Sequence, residues 1–261
     1  MPVSGNLYYS YHRDIGAENP PLVLIHGAGG MHLYWPPEIR RLRGYCVYAI
    51  DLPGHGKSDI CDGQQTIGDY TRYLVQWLES LQLRRAVFVG HSMGSAISLT
   101  LAIHHPEYVL GLGLLGAGAR LRVNPELLNN AADSTTFYKA AAQLVACSFS
   151  SATSPRLVEL ASKRMEETRQ SVLYGDLLAC NQFDVMDRLG EVQQNTLILC
   201  GADDQMTPVR YAQFLSSSIP HARLGVIPNA GHMVMLEQPG LVANNLLSFL
   251  EDISFHPGEG S

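Results

Sequence analysis

The chain lacks most of the features that fix a protein's class from composition. Its 261 residues include five cysteines, Cys46, Cys61, Cys147, Cys180 and Cys200, an odd and scattered set with no CxxC pair. That pattern argues against a disulfide framework or a zinc centre and fits a reducing, cytoplasmic setting. Charge of one sign is also missing. The 18 basic and 24 acidic residues leave a net −6, with no Lys/Arg block, so no nucleic-acid partner is expected. The start, MPVSGNLYYSYHRD, has no basic stretch followed by an apolar core, and no secretory signal is expected. The longest apolar stretch, VLGLGLLGAGA, is too short and too rich in glycine to span a bilayer. There is no internal repeat and no low-complexity segment. The oligomeric state stays open.

What is present is an alternation. PLVLIHG, YCVYAID, AVFVGHS, VLGLGLLG, NTLILCG and ARLGVIP are short, nearly continuous apolar runs. Strands covered on both faces read this way, which implies a parallel sheet with helices on either side. Cys46 and Cys200 fall in two of these runs, where packing is their expected role. Ile67, Tyr70, Leu74, Trp77, Leu78 and Leu81 recur at helical spacing. A second helix follows Ser92 and stops before Pro106, and YAQFLSSSI and GLVANNLLSFLEDI read as two more. The class is α/β. From 119 to 189 no strand signal occurs, and STTFYKAAAQLVACSF and SPRLVELASKRMEETRQSV read as helices. The expected organisation is a core of 1–118 and 190–261 with a helical cap of 119–189, over the carboxyl ends of the strands where open α/β sheets bind ligands. HPGEGS at the end reads as a loose tail.

Chemistry concentrates at the carboxyl ends of the runs. GHSMG places Ser92 between Gly90 and Gly94, where a strand ends and a helix begins. A bend that tight strains its central residue and leaves no room for flanking side chains. It also lifts a hydroxyl clear of the sheet at a helix N-terminus, where the Met93 N–H can meet an oxyanion. Serine needs a base. His232, in IPNAGHMVMLEQP after the last strand, reaches the same rim. GADDQMTP offers two carboxylates to orient the imidazole, Asp203 and Asp204, and spacing alone does not choose between them. The loop HGAGG offers a second oxyanion donor, the N–H of Ala28, with Gly27 next. As a phosphate loop this stretch lacks G-x-G-x-x-G spacing, and GHGKSD lacks the upstream glycine of a P-loop. His55 and His91 read as structural and packing residues, Asp184 as an anchor between cap and core. His104, His105 and His221 have no metal-ligand spacing, so no metal and no organic cofactor are expected.

Together HGAGG, DLPGHGKS, GHSMGS, GADDQMTP and NAGHMVMLEQP resemble the α/β-hydrolase fold superfamily, in its small, cap-bearing serine-hydrolase form. The resemblance spans nearly the whole chain except the cap. It implies a mostly parallel sheet flanked by helices, with Ser92 as nucleophile and His232 as base. It also implies Asp204, three residues beyond Gly201, as the orienting carboxylate, and the N–H groups of Ala28 and Met93 as the oxyanion hole. Ser95 departs from the pattern, since many relatives carry glycine there. The implied activity is carboxylesterase-like, on a small-molecule ester of small to medium size. Lactone or C–C bond hydrolysis by the same residues and a non-catalytic small-molecule receptor are the alternatives. Phe137, Leu144, Met165, Leu173, Leu178 and Phe183 are candidates to line an apolar acyl pocket, with packing inside the cap the competing use of each.

Overall fold

In a computed structural model, which describes residues 3–14, 16–58 and 63–253, the apolar runs are strands of one eight-stranded sheet. The strands are β1 (Val3–Ser4), β2 (Leu7–Arg13), β3 (Leu22–Ile25), β4 (Cys46–Ile50), β5 (Ala86–His91), β6 (Val109–Leu115), β7 (Thr196–Gly201) and β8 (Ala222–Ile227). Their spatial order is β1-β2-β4-β3-β5-β6-β7-β8. β3 to β8 pair in parallel, and β1 and β2 join antiparallel at one edge.

The helices are α1 (Pro37–Arg40), α2 (Ile67–Ser80), α3 (Met93–His104), α4 (Pro125–Ala132), α5 (Phe137–Ser148), α6 (Pro155–Glu166), α7 (Gln170–Gln182), α8 (Val209–Ser218), α9 (Val234–Glu237) and α10 (Pro239–Leu250). Thr66 caps α2 by accepting from the Asp69 N–H at 3.0 Å, and Pro fills the first turn of α4, α6 and α10.

Alternation along the strands sorts the core into two layers. Leu22, Leu24, Val87, Val89, Leu197 and Leu199 pack with Ile39 of α1 and with Val242, Leu246 and Phe249 of α10. Val23, Ile25, Phe88, Leu112, Leu114 and Ile198 pack on the other face with α2, α3 and α8. The first layer continues into α4, α5 and α7 through Leu127, Leu144 and Leu177. These helices lie with α6 between β6 and β7. The ends of this segment meet: the Val185 N–H donates to Ala119 O at 2.9 Å, and Arg120 and Asp184 pair at 3.6 Å. Asp184 therefore ties the neck of the helical segment, as the sequence suggests.

Three details differ from the sequence reading. The hairpin of β1 and β2 was not anticipated. Gly5 and Asn6, both at positive φ (51° and 68°), make its two-residue turn, and tyrosines rather than aliphatic residues fill β2. β8 is an edge strand with Val226 44% exposed, so its apolar run is covered less than those of the central strands. Cys46, at the start of β4, is half-buried rather than enclosed. Cys61 and the tail HPGEGS lie outside the described residues.

Candidate active site

Ser92 stands between β5 and α3 at φ 52° and ψ −115°, a backbone state that non-glycine residues adopt only under strain. The glycines beside it are sterically required. A Cβ on Gly90 would lie 2.2 Å from Gly94 O, and one on Gly94 would lie 2.2 Å from Ile25 O. The elbow is locked from below as well, because Ser92 N–H donates to Leu115 O at 2.9 Å and Ser95 Oγ donates to Gly90 O at 2.7 Å. The hydroxyl of Ser95 thus occupies the space behind the elbow.

Across the same cavity, His232 follows β8. Its Nδ1 lies 2.9 Å from Asp204 Oδ2. The other ring nitrogen, Nε2, is buried and has no hydrogen-bond partner among the described residues. Asp204 sits just past β7 at 5% exposure. Its Oδ1 accepts from the N–H groups of Met206 and Thr207, each at 2.8 Å, and its Oδ2 accepts from the Thr207 hydroxyl at 2.8 Å. Burial alone would raise this carboxyl, but adjacent His232 and the Thr207 donors outweigh it and hold the group at about 2. Asp204 is therefore an anion over the whole neutral range. The geometry separates the two candidates that spacing left open, since Asp203 instead accepts from Ser150 Oγ at 2.7 Å.

His91, beside the serine, is buried. Its Nε2 lies 3.0 Å from the main-chain oxygen of His232, to which it donates. Burial first and the His232 ring second push His91 down to about 3, so it is neutral. It packs, as expected, and also fastens the His232 loop to the elbow. Thr207 and His91 have no motif of their own. The signal for Thr207 is its place three residues beyond Asp204, where a backbone turn returns N–H and hydroxyl to the carboxylate.

On the third side is the loop after β3. Gly27 O accepts from the Gly30 N–H at 3.0 Å and from His26 Nδ1 at 2.8 Å. His26 Nε2 in turn accepts from the Leu52 N–H at 3.0 Å. Burial, and then neighbouring His55, push His26 down to about 4, which keeps it in this one-proton form. In a trans peptide C=O and N–H point opposite ways, so the Ala28 N–H turns only together with Gly27 O. No protein acceptor among the described residues pairs with the N–H of Ala28 or of Met93.

The cavity between these groups holds about 320 Å³ and is lined by Ala28, His91, Ser92 and His232 together with the helical segment. Leu144 and Met165 line it, as do Leu127, Leu177 and Met206. Phe137, Leu173, Leu178 and Phe183 are not among its lining residues. On α7 the residues that face the cavity are Leu177 and Cys180, and Leu178 is turned about 100° away by the helical period. Leu173 is fully buried one turn earlier, Phe183 belongs to the opposite core layer, and Phe137 packs at the start of α5. His55 proves structural, with both ring nitrogens bonded inside the protein.

A strained serine at a strand–helix elbow, a buried Asp–His pair and a glycine loop are arranged here along one mostly parallel sheet. Residues 20–239 match the model of the alpha/beta hydrolase fold family. The chain belongs to that family. It is 28% identical to the provisionally named carbamate hydrolase RutD of Pseudomonas savastanoi pv. phaseolicola, over 94% of this chain and 98% of that one. It is 29% identical to 2-hydroxy-6-oxo-2,4-heptadienoate hydrolase of Pseudomonas putida, over 91% of each. A solved thermophilic esterase superposes with a TM-score of 0.80 at 32% identity, over 95% of this chain and 99% of that one. Family and relatives support a hydrolase. Among the described residues no helix is long and apolar enough to cross a membrane.

Proposed function

We propose that this hydrolase cleaves carboxylic esters of small to medium size through Ser92, His232 and Asp204. The observation that carries the reading is the His232 ring. One nitrogen is held by Asp204 at 2.9 Å, and the other is buried without a hydrogen-bond partner among the described residues, on a ring that lines the same cavity as Ser92. Ser92 Oγ attacks the ester carbonyl while its proton passes to His232 Nε2. The tetrahedral oxyanion is met by the N–H groups of Ala28 and Met93, each worth about 3 kcal/mol in a comparable site. His232 returns the proton to the departing alcohol, leaving an acyl group on Ser92. Water, deprotonated by His232, then attacks the acyl carbon, and the acid leaves as Ser92 regains its proton. Asp204 stays ionised and stabilises the imidazolium in both halves.

A cavity of about 320 Å³ suits a compact ester, and the chain from 119 to 189 acts as its cap. Leu127, Leu144, Met165 and Leu177 form the acyl wall. Free thiols at Cys46, Cys147, Cys180 and Cys200 support a reducing, cytoplasmic setting. A second reading, hydrolysis of a carbamate or of a C–C bond next to a carbonyl, draws support from the two enzyme relatives above, and the same residues serve it.

Reaction with a fluorophosphonate, read by peptide mass, tests the assignment beside turnover of an ester, carbamate, lactone and vinylogous-diketone panel. A single adduct on Ser92, lost in Ser92→Ala together with ester turnover, is the expected result. Adduct elsewhere, or undiminished turnover by Ser92→Ala, rejects the nucleophile. Preference for the carbamate or the diketone transfers the reaction to the second reading.

A further inference from the structure

We infer that Asp176, a carboxylate carried by α7 of the helical segment, is a positioning residue for the Ala28 N–H, so that the segment covering the site also aims one of its oxyanion donors. The inference rests on the role given to Ala28 above. Two peptide planes meet at the Ala28 Cα. The plane before it is fixed by His26 and Gly30 through Gly27 O, both within the core. The plane after it ends in the Gly29 N–H, which donates to Asp176 Oδ2 at 2.8 Å. The carbonyl of Gly29 accepts from Thr168 Oγ1 at 3.3 Å. The hold on the plane that follows Ala28 thus comes from Asp176 in the helical segment, and it restrains the rotation at the Ala28 Cα by which the plane bearing the Ala28 N–H could turn.

Asp176 is fully buried and spans three pieces of the core. Besides Gly29 it accepts from His55 Nε2 at 2.8 Å and from the Tyr70 hydroxyl on α2. His55 Nδ1 faces Pro53 O at 3.0 Å. Each ring nitrogen of His55 thus faces an acceptor, and adjacent Asp176 outweighs burial to raise the ring above the ordinary histidine value, which favours the imidazolium form. An ion pair whose sole task was to join α7 to the core would be complete with His55 and Tyr70. The third bond is the one that reaches the site, and a charged acceptor holds an amide about twice as strongly as a neutral one.

Asp176→Asn keeps the size but places an NH2 group among three donors. Tyr70→Phe removes one donor from the same carboxylate and leaves Gly29 alone. With full-length proteins the readouts are kcat and KM on p-nitrophenyl butyrate, Ki of an aryl trifluoromethyl ketone and Tm. Asp176→Asn is expected to lower kcat roughly tenfold or more and to weaken the ketone by a similar factor, with KM within about threefold. Tyr70→Phe is expected to lower Tm and keep kcat within about threefold. A folded Asp176→Asn with unchanged kcat overturns the inference, and so does a Tyr70→Phe that loses kcat to the same extent. If Asp176→Asn does not fold, the Gly29 amide of 15N-glycine-labelled native protein decides. Exchange only on global unfolding supports the bond, and rapid exchange overturns it. Failure of the underlying reading is distinct: the native chain then turns over no ester and Ser92 takes no fluorophosphonate, which overturns both.

Discussion

Two buried aspartate–histidine pairs in the molecule are built from the same parts. Asp204 holds His232 at 2.9 Å with a threonine hydroxyl on the carboxylate, and Asp176 holds His55 at 2.8 Å with a tyrosine hydroxyl on the carboxylate. All four residues are at most 5% exposed. The difference is the second ring nitrogen. In His232 it has no partner among the described residues and the ring lines the cavity, whereas in His55 it is spent on Pro53 O. A ring with one nitrogen fixed and one free can accept a proton and give it back. A ring with both fixed is a strut. Burial, carboxylate and hydroxyl therefore do not distinguish the two rings, and the unpartnered nitrogen of His232 does.

The comparison breaks most readily at the rings. His232→Ala should cost kcat on the order of 10⁶-fold, while His55→Ala keeps measurable turnover on the same ester. Equal losses would erase the distinction. Asp204→Asn should lower kcat on the order of 10⁴-fold by releasing the wrong tautomer, and steady-state kinetics would show it. His55→Gln, which removes the imidazole beside buried Asp176, should instead cost stability, about 3–5 kcal/mol in urea unfolding.

Acid and base sharpen the contrast, because the two pairs carry opposite signs. Asp204 is held at about 2 against an ordinary 3.8, so its contribution, ~2 kcal/mol, is complete above 3.8 and drains away as pH falls toward 2. His55 is raised above the ordinary 6.5, since Asp176 outweighs the burial that would lower it. Its contribution is complete below 6.5 and is lost as pH rises through the raised value. Tm against pH should lose its alkaline decline in His55→Gln and its acid decline in Asp204→Asn. Thr207→Val carries the smallest expected effect, about tenfold in kcat, from one hydroxyl bond to a charged acceptor. An unchanged rate would show that the Met206 and Thr207 amides orient Asp204 without it.

Much of the site was legible because it is local. Gly90 and Gly94 announce the elbow, since no side chain fits there whatever surrounds it, and His232 follows a strand whose apolar run is plain. The central strands were legible for the same reason, being short runs buried on both faces. The β1–β2 hairpin was not, because its tyrosines alternate weakly and its Gly5–Asn6 turn lies outside any apolar run. The cavity wall was legible only in part. Leu144 and Met165 line the cavity, but the helical segment offers many apolar residues, and which face of α7 turns inward depends on where the helix docks.

By itself the sequence determined the order of strands and helices, the serine corner and the loops that bear the histidine and the two adjacent aspartates, because each follows from backbone sterics and burial over a few consecutive residues. Tertiary structure decided which aspartate meets the imidazole, which histidine lies against that carboxylate with its other nitrogen unpartnered among the described residues, and which carboxylate reaches across 147 positions to the glycine loop. Those are matters of a few tenths of an ångström between segments far apart in the chain, and only packing sets distances of that kind.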